Sequence, residues 1–459
     1  MKIMKRGFVL ICAVTSLTLG PPANAQTQAA PKVLTYQEAV KIGLRNGILL
    51  NQQKNNLDLN QMQKYSNILG LGPTLSANAS AQRVSGNTFN QNELKVVNGL
   101  FDQVSGSLNA NWNLFNGFSQ VNKARQFSSV ADAQEYYINR TAQDVINTVS
   151  SQYLQVLLDG ELLKIAKENF AVLEKQLNQI QEQVKLGARS PVDEYNQDSQ
   201  TKAAEIKALQ AEINLISDRS LLTQTLLLDP TEDFDVVKPD WDVNAINMDN
   251  IALPALIDLS LKNRGDYLRA VKNEEAARYG TAALRASMLP TFSAYGGMYS
   301  AYNQAHGDPT TRPFAEQFRV NNLKKYAGFQ LYIPIFGGGQ NLQNRTNYVQ
   351  QKVLYQNNAV LRKNAEILVK TDVLKAYKNF ELVKKTFSLT LAQLQSAEIA
   401  FQYETERYNL GVTDFVTYLN ANRVLVQSQT DKAQAEYRLV FQKILLSYAA
   451  GTLKPEDIQ

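Results

Sequence analysis

The sequence predicts a mainly helical fold with a small β part: an internally duplicated chain of long antiparallel coiled-coil helices that also carries four membrane-crossing strands. Three observations predict it. Residues 119–186 run without a proline and with a single internal glycine, Gly160. A helix of that length reaches roughly 100 Å at ~1.5 Å per residue, whereas an ordinary helix stops after ~10–14 residues. Short segments elsewhere alternate apolar and polar residues with the period of a strand. The whole succession of elements then appears a second time.

Residues 1–25 read as a secretory signal peptide. Lys2, Lys5 and Arg6 form its charged start, Phe8 to Leu19 its apolar core, and Ala23-Asn24-Ala25 its cleavage site. The only cysteine, Cys12, lies inside it. Ile11 precedes that cysteine where a lipoprotein signal has a small residue, so no lipid anchor is expected. The mature chain, from Gln26, then has no disulfide framework, thiolate metal site or cysteine nucleophile. The signal carries three positive charges and no negative ones, so the formal net charge falls from +5 to +2 without it. The basic balance thus argues nothing for nucleic acid. No later stretch approaches ~18 consecutive apolar residues, so no transmembrane helix is expected. Strands could still cross a membrane, with a weaker sequence trace.

The first structural repeat spans 26–253. Thr35 and Glu38 form a capping box for a helix that runs, with Gly47 as a soft point, to Leu69. Gly70-Leu71-Gly72-Pro73 stops it. A strand over about 74–85 sets Leu75, Ala77, Ala79 and Ala81 against Ser76, Asn78 and Ser80. Residues 86–101, polar with scattered glycine and asparagine, are expected to form a loop. A strand over about 103–115 sets Val104, Gly106, Leu108, Ala110, Trp112 and Leu114 against serines and asparagines. Each run is about ten residues, enough for a tilted strand to cross a bilayer. Trp112, Leu114 and Phe115 suit an interfacial anchor. Asn116-Gly117 breaks the strand and a helix over about 118–186 follows. Its heptad seam holds Ala142, Ile146, Val149, Tyr153 and Val156, then Ala166, Phe170, Leu173, Leu177, Ile180 and Val184. Gly187 ends it. Ser190 caps a helix over about 190–228 with Pro191 at its first position. So short a turn makes the two helices antiparallel neighbours. Residues 229–253, with Asp233, Asp235, Asp240 and Asp242, form an acidic, irregular linker.

The second repeat spans 254–459. A helix from about Pro254 to Met288 precedes strands over about 291–302 and 325–336. The latter holds Ala327, Phe329, Leu331, Ile333 and Ile335 on one face. The loop between them holds the only histidine, His306, beside Asp308. Helices over about 340–410, with the seam Phe380, Val383, Phe387, Leu394, Ala397 and Phe401, and over about 414–450 complete the copy before a short tail. Leu289-Pro290-Thr291-Phe292-Ser293-Ala294 echoes Gly72-Pro73-Thr74-Leu75-Ser76-Ala77. The spacings agree: 217 from Pro73 to Pro290, 221 from Phe115 to Phe336, 224 from Gly187 to Gly411.

Four strands cannot close a barrel, and an open edge in lipid leaves backbone groups unpaired at several kcal/mol each. The smallest spanning barrels have about eight strands, so strands must be pooled between chains. Three chains supply about twelve, with a ring of packed helices beneath them that encloses a lumen.

The chain resembles the TolC family of outer-membrane efflux ducts over essentially all its mature length. The resemblance is carried by the strand-to-helix junctions Leu114-Phe115-Asn116-Gly117 and Ile335-Phe336-Gly337-Gly338. It is carried most specifically by the turn Arg407-Tyr408-Asn409-Leu410-Gly411 followed by Val416 and Leu419. It implies a homotrimer with a twelve-stranded β-barrel in outer membrane lipid, continuous with a periplasmic α-helical barrel. It also implies a periplasmic adaptor protein and an inner-membrane pump as partners, with docking at the helix turns marked by Gly187 and Ser190 and by Gly411 and Asp414. The function implied is an exit duct of a tripartite efflux pump or type I secretion system. In that family the helix tips close the periplasmic entrance. Tyr408 matches the gate tyrosine, Asp193 its acidic partner, and Gln176 falls where the tyrosine's hydrogen-bond partner lies. The arginine of the pattern, two after the second glycine, is here Thr413. Its two pore-constricting aspartates, six and nine after that glycine, are Thr417 and Asn420. A gate held by hydrogen bonds and packing, with weaker cation selectivity, is expected.

An enzyme is not expected, nor a cofactor or a metal. No phosphate loop or metal-ligand cluster is present. Gly337-Gly338-Gly339 lacks nucleotide-binding spacing and reads as a strand-to-helix junction, and His306 reads as an exposed polar residue. The alternative function is a periplasmic coiled-coil scaffold without a pore.

Overall fold

The computed structural model describes residues 32–90, 94–232, 234–239, 241, 252–306, 311–335 and 339–454. The signal peptide, Phe336 and Gly338 of the second junction, Asp308, and Asp233, Asp240 and Asp242 of the linker lie outside them. In chain order the elements begin with β1 (Lys32–Leu34), α1 (Tyr36–Asn46), α2 (Ile48–Leu69), β2 (Thr74–Asn90), β3 (Lys95–Phe115), α3 (Ser119–Lys185), α4 (Pro191–Leu226) and β4 (Phe234–Val236). There follow α5 (Leu253–Asn263), α6 (Gly265–Ala286), β5 (Thr291–Ala305), the single turn α7 (Phe314–Glu316), β6 (Lys324–Tyr332), α8 (Gly339–Asn409) and α9 (Phe415–Ala450). Among the described residues no helix is long and apolar enough to cross a membrane.

Two helices set the length, α3 with 67 residues and α8 with 71. The others fill a row beside them. Nearer the sheet α3 packs between α2 and α6, and beyond the middle between α4 and α9, while α8 flanks α6 and α9. The short helices meet end to end. Asn46 Nδ2 donates to the Leu226 carbonyl where the end of α4 reaches the end of α1, at 2.9 Å. α9 ends at Gly451, with φ +72°, against Arg264 at the head of α6. The main core sits at this changeover: Val40, Ile146, Val149, Tyr153, Leu222, Leu226, Val369, Val373, Val440 and Ile444 are all buried. The expected seam of α3 supplies four of its members, Ile146, Val149, Tyr153 and Val156.

Local chemistry accounts for the ends. The Glu38 N–H donates to Thr35 Oγ1 at 3.3 Å and Thr35 N–H to Glu38 Oε2 at 3.1 Å, the expected capping box. The expected single helix to Leu69 is two helices, because Gly47 leaves helical geometry at ψ 112°. The expected helix from Pro254 to Met288 breaks likewise at Arg264, at ψ 116°. Pattern alone misses that break because Arg264 is held by tertiary partners. Its buried guanidinium reaches Asp266 at 3.0 Å and Asp372 at 3.0 Å. The acidic linker is not wholly irregular either. Phe234–Val236 pairs in parallel with Lys32–Leu34, and the Tyr153 hydroxyl lies 2.7 Å from the Val237 carbonyl.

The larger sheet is antiparallel in the order β2-β3-β5-β6. Residues 86–90 and 95–101 are not a loop. β2 and β3 stay paired from Thr74↔Asn111 out to Asn90↔Lys95. A hairpin satisfies its backbone whatever its side chains are, so polar composition there does not exclude a strand. β6 is shorter than expected and ends before Pro334, which has no N–H for a ladder. The register aligns the expected faces: Leu75, Ala110, Gly296 and Ala327 fall in one row, and Ser76, Asn109, Gly297 and Tyr326 in the next. On the polar face the Tyr326 hydroxyl donates to Asn109 Oδ1 at 2.6 Å, and its ring covers Gly297. His306 is exposed, as expected, and its Nε2 lies 3.1 Å from Asp102 Oδ2, which also pairs with Arg83.

Candidate functional site at the helix tips and open flanks

The hairpins α3–α4 and α8–α9 end in the same turn. Gly187 and Gly411 both have φ +73° and open space where a Cβ would stand. In each, the residue after the glycine donates back across the turn, Ala188 to the Gln183 carbonyl at 2.8 Å and Val412 to the Arg407 carbonyl at 2.9 Å. That pairing closes a left-handed helix cap, for which glycine is favoured. Ser190 then caps α4, accepting from Val192 N–H at 3.2 Å. Asp414 caps α9, accepting from Thr417 N–H at 2.8 Å and from its hydroxyl at 3.1 Å. Thr417 is therefore committed to the cap.

Gln176 and Tyr408 line one groove between the hairpins, together with Arg189 and Tyr418. The structure distributes their contacts differently from the expected pairing. The Tyr408 hydroxyl is met by Arg189, whose guanidinium stands 4.9 Å from the ring centroid. Gln176 influences the Tyr418 hydroxyl instead, lowering a value that burial raises, and its own buried Oε1 has no hydrogen-bond partner among the described residues. The rings of Tyr408 and Tyr418 stack at 4.9 Å. Burial pushes the Tyr408 hydroxyl above its ordinary value; Arg189 opposes that shift and Asp193 adds to it. Asp193 thus lies near Tyr408 and acts on it through charge. Thr413 is half-buried beside the cap. Asn420 lies apart, lining a cavity of about 540 Å³ with Asn169, Asn196 and Gln200.

Arg189 and Tyr418 escaped the sequence reading. The signal for Arg189 was its place two after Gly187, where Thr413 stands after Gly411. At the junction, Gly117 and Phe118 both take φ +65°. A Cβ at Gly117 would stand 2.9 Å from the Ala286 carbonyl, which explains the glycine. Phe118 is braced by the Phe115 ring at 5.5 Å.

Both flanks of the molecule are open. β2 and β6 are the outer strands of the sheet. On α4, Ile206, Leu209, Ile213 and Ile216 are exposed, and on α8, Leu354, Leu361, Leu368, Leu382 and Leu389 are exposed. Steps of three and four, or of seven, mark these as coiled-coil seams without a partner among the described residues.

The model of the outer membrane efflux protein family matches residues 50–226 and 256–452. The chain belongs to this family. It is 22% identical over 368 residues to the outer membrane protein TolC of Vibrio cholerae, across 78% of each chain. It is 23% identical over 367 residues to OpmQ, a pyoverdine export outer membrane protein of Pseudomonas aeruginosa, across 79% of this chain and 73% of the relative. Its fold matches the outer membrane protein VceC of Vibrio cholerae with a TM-score of 0.76 at 15% identity, covering 91% of this chain and 96% of the other.

These efflux proteins are channels and exporters rather than enzymes. An outer membrane efflux protein works in a bilayer, and in this one the sheet is the part suited to lipid. Leu75, Leu108, Trp112 and Phe329 stand on its apolar face, exposed.

Proposed function

We propose that three copies of the chain close side by side into a duct, the exit of a tripartite efflux pump or a type I secretion system. In this reading about twelve strands form a barrel in the outer membrane. It continues into an α-helical barrel in the periplasm. The observation that carries it is that strand and helix are open on matching flanks. β2 leads from α2, whose column continues into α4 and its exposed isoleucines. β6 leads into α8 and its exposed leucines. One neighbour could therefore cover an edge strand and a helix seam together. The halves 26–253 and 254–459 act as two structural repeats in the ring.

The tips form the periplasmic gate. Tyr408 is latched by Arg189 and stacked on Tyr418, which Gln176 holds; Asp193 supplies the nearby negative charge. Thr413, Thr417 and Asn420 bring no charge, so the pore is weakly cation-selective. The turns at Gly187 and Ser190 and at Gly411 and Asp414 present exposed Leu186, Val192, Leu410 and Val416 to an adaptor protein. The inner-membrane pump joins through that adaptor.

The experiment is fractionation of the mature protein, electrophoresis without boiling, and planar-bilayer recording. An outer-membrane, detergent-requiring, SDS-resistant trimer with weakly cation-selective conductance is expected. A monomer recovered without detergent would favour the scaffold. Strong cation selectivity abolished by Asp193→Asn alone would overturn the gate as described.

A further inference from the structure

Asp159 on α3 is buried, at 4% exposure. Gln155 Nε2 donates to its Oδ1 at 3.1 Å, whereas its Oδ2 has no donor. The neighbour within hydrogen-bonding reach is a second carboxyl, Asp218 of α4. The two face each other across the antiparallel hairpin. Nearer the tip the same pair of helices places Lys167 opposite Glu212, at 3.9 Å. Contacts there are complementary, so the like-charge contact stands out. A carboxylate cannot donate to a carboxylate, so the pair is satisfied only when one oxygen carries a hydrogen.

The surroundings do not neutralise it otherwise. Asp159 opens onto a cavity of about 450 Å³ between α3, α4 and α9. Asn214 faces it from α4, and Gln434, Tyr437 and Arg438 from α9. Burial pushes the Tyr437 hydroxyl up to about 12, so it stays neutral. Arg438 is an exposed side chain at the rim, and among the described residues no lysine or arginine lies at ion-pair distance from Asp159 or Asp218. Arg219, next in sequence to Asp218, turns to Asp235 at 3.1 Å. Glu161 acts on Tyr437 from α3. Among the described residues no group of three or more histidine, cysteine, aspartate or glutamate side chains could hold a metal ion.

We propose that Asp159 and Asp218 share one proton, and that this proton clasps α3 to α4. The inference is independent of the trimeric duct, because both carboxyls belong to one chain. Burial, with the second carboxyl adding to it, pushes Asp159 up to about 7 from an ordinary 3.8. The folded chain thus keeps a proton that the unfolded chain has lost. The clasp is complete below about pH 4 and its contribution disappears as pH rises through about 7. Deprotonation leaves two anions in contact ~40 Å from the tip at ~1.5 Å per residue, in the hairpin that carries Arg189. The positions 224 further on, Val383 and Gln442, cannot do this.

The test is infrared titration of the full-length protein in detergent, with amide exchange along α3 and α4 corrected for intrinsic rates. A protonated-carboxyl C=O band should disappear with a midpoint of about 7, be absent from Asp159→Asn, and titrate at a lower pH in Asp218→Asn, where burial alone still raises Asp159. Exchange around residue 159 should rise several-fold between about pH 6 and about pH 8.5 in the natural protein and stay flat in Asp218→Asn, whose amide supplies a donor at every pH. His306, the only histidine, lies at the end of the sheet, so it does not confuse the exchange signal. A band that is missing, that survives in Asp159→Asn, or whose midpoint is unmoved by Asp218→Asn would overturn the proposal. So would millimolar magnesium or calcium moving the midpoint down by more than about one unit, since the site would then be a divalent-cation site.

Discussion

The two hairpins have one backbone design and different chemistry. α4 and α9 have 36 residues each, and the turns share a glycine at φ +73°. At positions 224 apart, however, Arg189 faces Thr413, Asp193 faces Thr417, Val184 faces Tyr408 and Asp159 faces Val383. The difference teaches that the turn demands only a backbone conformation, so side chains around it are free to diverge. Contacts such as Arg189 on Tyr408 then join the hairpins through complementary, not equivalent, residues.

The largest effect should break the equivalence in the core. Tyr153 and Tyr377 are 224 apart, yet Tyr153 is fully buried and Tyr377 only partly. Tyr153→Ala should cost about 3–5 kcal/mol and Tyr377→Ala less than about 2 kcal/mol, by denaturant unfolding. Equal losses would mean that the changeover core is not centred on the first hairpin.

The turns should behave alike. Gly187→Ala and Gly411→Ala meet no atoms, so each should cost about 1–2 kcal/mol of backbone strain alone. A clear inequality in melting temperature would show that one turn is held by contacts that the other lacks.

The latch should separate them. Arg189→Ala removes a cation–π contact of about 0.5–1 kcal/mol, which corresponds to a roughly two- to five-fold rise in open probability in bilayers. Thr413→Ala should leave gating unchanged, and an equal response from both would sink the assignment of Arg189.

The smallest effect concerns the caps. Backbone and hydroxyl donation from Thr417 holds the Asp414 carboxyl below its ordinary value. Its capping contribution is therefore present above the ordinary carboxylate range and lost as pH falls through the lowered value. Ser190 does not titrate in this range. Hydrogen exchange in strong acid should therefore show the start of α9 fraying before the start of α4, and simultaneous fraying would contradict this.

Much of the fold was legible wherever one residue's local chemistry decides it. Thr35 and Glu38, Ser190 and Pro191, and Gly187 and Gly411 mark ends through hydrogen bonds within a few residues. The seam of α3 was visible because burial on a helix repeats every three and four residues. The far half of the β2–β3 hairpin was not, because pairing satisfies polar residues as well as apolar ones. At the tip, Tyr408, Asp193 and Gln176 were found through resemblance, and Tyr408 and Gln176 line one groove. Arg189 and Tyr418 were missed because their role depends on which ring each reaches across two hairpins.

By itself the sequence determined the two long hairpins, their turns and the two faces of each strand, since all of these follow from periodicity and short-range hydrogen bonding. Only the tertiary structure decided that Arg264 breaks a helix, that Gln176 meets Tyr418, and that Asp159 meets Asp218. Each of those depends on partners tens of residues away or more, brought together by packing that no local pattern encodes.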